Sequence, residues 1–189
     1  MKIKHVWAIT LSIAIVAVCF VTAAESAGKT AGEIDGQVDQ ALKDLYAQVP
    51  AAKELSTVSK GILVFPEVVK GGLIVGGQYG EGALIKNGKK SAYYSTAAAS
   101  YGLQAGLQKF GYVMFFMTED ALAYLDKSAG WEVGAGPSIV VMDEGTAKSM
   151  TTSSLQDDIY VFFFSQKGLM AGLGLQGSKI TRITPDKKQ

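Results

Sequence analysis

The residue types that carry most enzymatic chemistry are scarce in this sequence. The one histidine, His5, and the one cysteine, Cys19, both lie in an apolar N-terminal segment. If that segment is removed, Ser-His-Asp and Cys-His catalysis, thiolate or imidazole zinc sites and an intramolecular disulfide are all excluded. The remaining carboxylates show neither a catalytic pair spacing nor the ligand periodicity of a calcium loop. We therefore expect a protein that is not an enzyme and that uses no metal or cofactor.

Glycine supplies the most distinctive spacing. In 71–82 and again in 165–178, glycines recur at even spacing among apolar β-forming residues. Alternate residues of a strand share a face, so one face of each segment is nearly free of side chains. Such glycines indicate either strained backbone packing or a second surface at close approach. The structural glycines predicted on this basis are Gly72, Gly76, Gly77, Gly80, Gly82, Gly168, Gly172 and Gly174.

Lysines supply the candidate contacts to an anionic ligand. Each lysine near an anionic lipid surface contributes about 1 kcal/mol, so a small group gives weak, salt-sensitive attachment. The alternative for each group is a solvated turn whose lysines only keep the protein soluble. Tyr79 joins the candidates because it lies among the glycines of 71–82. The candidate lipid-binding residues are Lys86, Lys89, Lys90, Lys167, Lys179, Arg182 and Tyr79.

The N-terminal segment is typical of a secretory signal. Residues 1–24 begin with Lys2 and Lys4, continue as an apolar run and end in the small residues Ala23 and Ala24. Val18 is bulkier than the residue that usually precedes a lipidated cysteine, so we expect a cleaved signal in preference to lipidation at Cys19 or a retained anchor. Export to the periplasm, with or without attachment to the outer membrane, follows.

Charge argues against a nucleic-acid partner. The chain has 18 basic and 17 acidic residues, and without Lys2 and Lys4 the balance is 16 against 17, a net charge of −1. Nucleic-acid binding usually needs a strongly basic surface. Arg182 is the only arginine of the chain, so clustered arginines cannot recognise phosphate in a bidentate way.

The first element after the signal is an amphipathic helix in the region 25–58. Thr30 and Glu33 have the spacing of a capping box. An apolar stripe follows at helical spacing, which favours packing against a core, and the acidic opposite face disfavours membrane binding. Pro50 ends this helix, and 51–56 continue as a short second one. The stripe consists of Ile34, Val38, Ala41, Leu42, Leu45 and Val49.

The region 59–184 reads as β structure, followed by a charged tail at 185–189. Residues 61–65 predict a strand that Pro66 stops, Asn87-Gly88 predicts a hairpin turn, and 131–142 predict one long strand with a bulge. We expect an α+β fold in one unit: the N-terminal helix and a mostly antiparallel, glycine-rich curved sheet of about eight to ten short strands. A barrel or a closed sandwich would remove the exposed sheet edges.

Four blocks of this region, in order, resemble the SYLF domain family. They are 61–66, 72–82, 102–108 and 164–172, and together they span nearly all of 59–181. The resemblance implies lipid or membrane association, since eukaryotic members bind phosphoinositide membranes and work with actin. Bacterial members are exported one-domain proteins assigned to lipid binding. This sequence lacks an appended SH3 or FYVE module and has an acidic N-terminal helix, so actin partners and phosphoinositide specificity are not carried over.

Two functions are therefore predicted. The first is binding of anionic phospholipid in the bacterial envelope through the glycine-rich curved sheet and nearby lysines. The alternative is a structural or adhesive envelope protein that binds another protein by adding a strand to its sheet edge. The sequence leaves the lipid identity and the oligomeric state open.

Overall fold

The computed structural model describes residues 28–72, 75–101, 106–127, 129–142, 155–164, 175 and 177–186. Two helices come first, α1 at Ala31–Gln48 and α2 at Pro50–Val58. The predicted capping box is confirmed: the Thr30 hydroxyl accepts the backbone N–H of Glu33, and the Glu33 side chain accepts that of Thr30. Pro50 opens α2 at its first turn, where the missing N–H costs nothing.

Helix α1 packs on the sheet through its apolar stripe. Ile34, Val38 and Leu45 are each at most 3 % exposed, and they share one hydrophobic cluster with Ala52 and Leu55 of α2. The sheet side of this cluster comes from alternate residues of five strands. They are Ile62, Val64, Ala83, Val113, Phe115, Met142, Tyr160 and Phe162. The expectation that the stripe serves the core is confirmed.

Eight strands form one curled sheet, a half-barrel in which β6–β7 is the only parallel pair among the described strands. Its order is β5-β8-β3-β2-β1-β4-β7-β6. The predicted α+β fold with a curved, mostly antiparallel sheet is confirmed. The strands are β1 Gly61–Gly72, β2 Val75–Lys86, β3 Lys89–Tyr101, β4 Gly106–Phe116, β5 Trp131–Glu132, β6 Ile139–Met142, β7 Ile159–Phe164 and β8 Lys179–Ile183.

Four of these strands are longer than expected. Strands β1 to β4 have 12, 12, 13 and 11 residues, so the expectation of short strands throughout is wrong for the centre of the sheet. The predicted hairpin joins two of them: Asn87 and Gly88 have φ of 51° and 72°, as a type I′ turn requires.

A bulge carries β1 through Pro66, where the sequence predicted that the strand stops. Pro66 and Glu67 stand opposite the single residue Gly111 of β4, because Phe65 pairs with Tyr112 and Val68 with Phe110. A proline without an N–H is tolerated at such a position, since the bulge interrupts the hydrogen-bond ladder.

Glycines of the neighbouring strands make room for this bulge. A Cβ added at Gly82 of β2 would lie 2.0 Å from the Val64 carbonyl oxygen, and one added at Gly111 would lie 2.6 Å from that of Pro66. The bulged backbone therefore occupies the space that a side chain would take at Gly82. At Gly111 it shares that space with the Phe164 ring, whose Cε2 would lie 2.3 Å from the added Cβ.

The opposite face of the sheet holds a second hydrophobic cluster. It includes Phe65, Tyr112, Met114 and Trp131, together with Leu122 of the short helix α3 at Glu119–Ala123. A 3₁₀ turn at Tyr124–Asp126 follows this helix.

The long strand predicted over 131–142 is wrong. Residues 133–137 turn the chain, with Gly134 and Gly136 at φ of 102° and 105°. Two short strands result instead, β5 on β8 and β6 on β7, at opposite ends of the sheet. Much of the second glycine-rich segment, 165–174, lies outside the described residues.

The bulge predicts which glycine is indispensable. We expect Gly82→Ala to destabilise the protein by about 2 kcal/mol or more, because the new methyl must displace backbone. Gly77→Ala is the matched control, since its Cβ would lie 3.6 Å from the nearest atom, the Ala98 carbonyl oxygen. Urea unfolding measures both variants, and equal midpoints would contradict the assignment.

Candidate functional site

One half of the helix-bearing sheet face is covered by none of the described helices. On β2, the helix-bearing face continues past the start of α1 from Ala83 to Glu81, Tyr79, Gly77 and Val75. Tyr79 and Val75 are the exposed large side chains among these residues. We call this uncovered half the bare face. It consists of Val69, Gly71, Val75, Gly77, Tyr79, Ala97, Ala99, Leu107, Lys109 and Lys179.

Small residues make the bare face smooth, and two apolar side chains stand out at its far edge. Ala97, Ala99 and Gly77 lie at its centre. Val75 and Leu107 are each 69 % exposed, the largest values among the exposed large hydrophobic residues. Isolated exposed apolar residues are ordinary, but these two share one end of the sheet with a glycine-rich floor.

A row of paired residues crosses the bare face. Through successive strand pairings, Lys179 of β8 and Lys109 of β4 lie at the ends of a row whose centre is Tyr79. Ala97 and Val69 fill the row between them. Two of the predicted contacts, Tyr79 and Lys179, are thus brought onto one surface, and Lys109 joins them. The sequence did not single out Lys109, whose ammonium lies 3.1 Å from the Glu67 carboxylate.

The predicted hairpin lysines lie at the other end of the sheet. Val75 and Lys86 are the two ends of β2, which at about 3.3 Å per residue are separated by about 36 Å. Lys90 pairs with Asp39 of α1 at 2.5 Å, and Lys86 lies 3.9 Å from Glu119. Lys89 is exposed. The hairpin lysines and Tyr79 therefore do not form one site.

The remaining predicted basic residues are also separated. Lys179 and Arg182 stand at odd and even positions of β8, so their side chains lie on opposite faces. Arg182 is 4.0 Å from Asp126, on the face that carries the 3₁₀ turn. Lys167 lies outside the described residues.

At the predicted structural glycines, the space that a side chain would take is occupied mainly by backbone atoms of the protein itself. A Cβ at Gly80 would meet the Glu67 carbonyl oxygen at 2.8 Å, and one at Gly72 would meet the Gly76 Cα at 2.3 Å. Together with Gly82, these positions favour close backbone packing over close approach of a ligand. Gly77 alone of the four leaves ordinary space above it. Gly168, Gly172 and Gly174 lie outside the described residues.

A cleft borders the bare face where α1 begins. It has a volume of about 780 Å³, and its lining includes Tyr79, Glu81, Lys29 and Asp186. Glu81 is only 6 % exposed. Its carboxylate accepts hydrogen bonds from the Tyr79 hydroxyl at 2.8 Å and from the Lys29 backbone N–H at 3.0 Å. Burial, and then the hydrogen bond and negative charge of Glu81, raise the pKa of Tyr79 to about 12.

The described residues contain no group of three or more histidine, cysteine or acidic side chains placed to hold a metal ion. Among the helices of those residues, none has both the length and the apolar character needed to cross a bilayer. The described site is an open surface with a neighbouring cleft. Its class is an α+β domain built on a half-barrel sheet.

A family model described as "Ysc84: Las17-binding protein actin regulator" matches residues 97–187, a little under half of the chain. This match over 97–187 agrees with the resemblance to the SYLF (Ysc84) domain family that the sequence predicted. The match includes the third and fourth blocks that carried this resemblance, whereas 61–66 and 72–82 precede it. No curated protein matches the chain.

The hydrogen bond between Tyr79 and Glu81 predicts a titration. We expect Glu81→Gln to lower the pKa of Tyr79 from about 12 toward its ordinary value of 10, because the negative charge is lost while burial remains. The tyrosine Cζ resonances followed by NMR against pH measure this shift. An unchanged pKa would show that burial alone sets it.

The same pair predicts a pH dependence of stability. Because the pKa of Tyr79 is raised in the folded protein, the unfolded chain loses the Tyr79 proton at a lower pH. The contribution of protonated Tyr79 to the free energy of unfolding is therefore complete below pH 10 and is lost between about pH 10 and 12. We expect Tyr79→Phe to lose less stability than the wild type over this range in urea unfolding. Equal losses in the two proteins would contradict the coupling.

Proposed function

We propose that the protein binds anionic membrane phospholipid in the bacterial envelope and catalyses no reaction. The bare face, with Val75 and Leu107 at its edge and Lys109 and Lys179 at its sides, would be the contact surface. The match of 97–187 to the SYLF family model, together with the lipid binding that the resemblance implies, supports the ligand class. The N-terminal signal motif supports export.

One observation carries this proposal: the most exposed large apolar residues of the described chain lie at the edge of a sheet face that no described helix covers. Burial of a valine or leucine side chain contributes about 1.5–3 kcal/mol. A lysine beside an anionic surface adds about 1 kcal/mol. Contact through the bare face would therefore combine apolar insertion with a smaller electrostatic attraction, which makes the affinity only partly dependent on salt.

Sheet-edge addition, the alternative function, has less support. The two end strands of the described sheet, β5 and β6, have two and four residues. Short edge strands offer few unpaired backbone groups and are a common way of preventing strand addition. The exposed Val141 of β6 is the one apolar residue of these described strands that would favour it.

Vesicle co-sedimentation tests the proposal. We expect the wild type to bind phosphatidylglycerol vesicles, more weakly at high salt, and the double variant Val75→Glu/Leu107→Glu to lose at least tenfold in affinity, since two apolar contacts become charges that repel the anionic surface.

Val58→Glu is the matched control. Val58 is also exposed, at 42 %, but it lies at the end of α2, next to the strand end that pairs with the hairpin. It should bind as the wild type does. Equal, negligible sedimentation with anionic and neutral vesicles would refute lipid binding, and equal loss from the double variant and the control would refute the bare face as the contact.

A further inference from the structure

The cleft beside the bare face holds a buried carboxylate that has no counter-ion among the described residues. Glu81 is only 6 % exposed, yet no ammonium or guanidinium of the described residues lies within ion-pair distance of it. Lys29 donates its backbone N–H to the Glu81 carboxylate, whereas its ammonium donates to the Gln37 side chain at 2.8 Å. Buried carboxylates are ordinarily paired with a cation, so this one is unusual.

The volume and lining of the cleft are compatible with a small-molecule site. Its volume of about 780 Å³ lies within the range of ligand pockets. Apolar Val69, Ile183 and Pro185 contribute to the walls, and the half-exposed Tyr79 contributes an aromatic ring. An aromatic face and a carboxylate at close range form the pair of groups that recognises an alkylammonium ion.

Glycine at position 28 leaves the polar end of the cleft open. A Cβ built there would lie 3.4 Å from Glu81 Oε1 and 3.5 Å from Asp186 Oδ2, so both carboxylates face the same small space. An ammonium group in that space would be within reach of two acceptors. The Glu67 carboxylate, which also lines the cleft, is already held by Lys109 at 3.1 Å.

We propose that this cleft binds an alkylammonium group, with Glu81 as its counter-ion and Tyr79 as its aromatic contact. Because the cleft opens beside the bare face, the source that we favour is the ethanolamine headgroup of a membrane phospholipid. The ammonium chemistry rests on the cleft alone, whereas the lipid source also rests on the proposed function. The protein would then hold an anionic bilayer surface with its lysines and a zwitterionic headgroup in the cleft.

The test compares two vesicles of equal charge, using protein from cells that express the full chain. One contains phosphatidylglycerol with phosphatidylethanolamine, and in the other a neutral galactolipid without an ammonium replaces the phosphatidylethanolamine. We expect about tenfold tighter binding to the first, as loss of one charge-assisted contact would predict. Equal wild-type affinity for both vesicles would overturn the headgroup assignment and leave the proposed function standing.

Two variants attack the cleft in different ways. Glu81→Gln keeps the shape and removes the charge, and Gly28→Leu keeps the charge and fills the space between the carboxylates. Both should lose the preference for ethanolamine lipid while binding the galactolipid vesicles as the wild type does. Glu54→Gln, on the exposed side of α2, makes the same charge change away from the cleft and should keep the preference. A preference that survives in both cleft variants would overturn the site.

A titration with water-soluble probes distinguishes a lipid headgroup from a small amine as the source of the ammonium group. It can be interpreted even if the protein binds no vesicles. Glycerophosphoethanolamine and free ethanolamine are added to the protein, and the backbone amide resonances of Gly80 and Glu81 are followed by NMR. Shifts with the first probe alone support the lipid headgroup, and equal shifts with both support the site with a small amine as its ligand. If neither probe shifts these resonances, the site is refuted, whether or not the protein binds vesicles.

Discussion

The bulge of β1 at Pro66 is the constraint on which the rest of the structure depends. It lies in the centre of the sheet, between a half that the helices cover and a half that they leave bare. An extra residue in one strand can be accommodated only if the neighbouring strands give way. Gly82 and Gly111 provide that room on either side, and a bulge bends and twists the strand that carries it. The two glycines and the proline, which lie on three different strands, are therefore needed together to form the bulge.

The beginning of α1 fixes where the bare half starts. Thr30 caps the helix, Lys29 donates its backbone N–H to Glu81 of β2, and the backbone of Asp186 donates to the Lys29 carbonyl oxygen. These contacts tie the helix N-terminus and the end of β8 to the sheet at the row of Glu81. The helix runs from this point over the half of the sheet that holds Ala83 and Val64, so Tyr79 and Val75 stay uncovered.

Local patterns predicted the elements well where chemistry between near neighbours decides them. The capping box at Thr30, the stripe of α1 and the turn at Asn87-Gly88 each depend on residues within a few positions of one another. Pro66 was misread because its tolerance depends on Gly111 and Gly82, which are distant in sequence. The bare face was missed for a similar reason. Ala97 and Ala99 become part of a surface only through their register with Tyr79 and Gly77.

The register of the strands also explains why the basic residues that cluster along the sequence do not lie on the bare face. Clustering along the chain pointed to the hairpin lysines, but Lys86 and Lys90 lie near Glu119 and Asp39, and such exposed pairs contribute little beyond mutual neutralisation. The hairpin is about 36 Å from the bare edge along β2, several times the Debye length of about 8–10 Å at physiological salt. Lysines at that distance cannot assist a contact made at Val75 and Leu107.

Comparison of magnitudes decides between the two ends of the sheet as a membrane contact. Lys89, the hairpin lysine without an acidic partner among the described residues, would supply about 1 kcal/mol at an anionic surface. Val75 and Leu107 together would supply several kcal/mol if their exposed surface entered the bilayer, before any contribution from Lys179. Apolar insertion would thus contribute more free energy than lysine attraction, and the side chains that could insert lie at the glycine-rich end. A membrane-binding function in this chain would accordingly bring the bare half of the sheet to the bilayer, and the helices, which pack on the other half of the same face, would lie beside this contact.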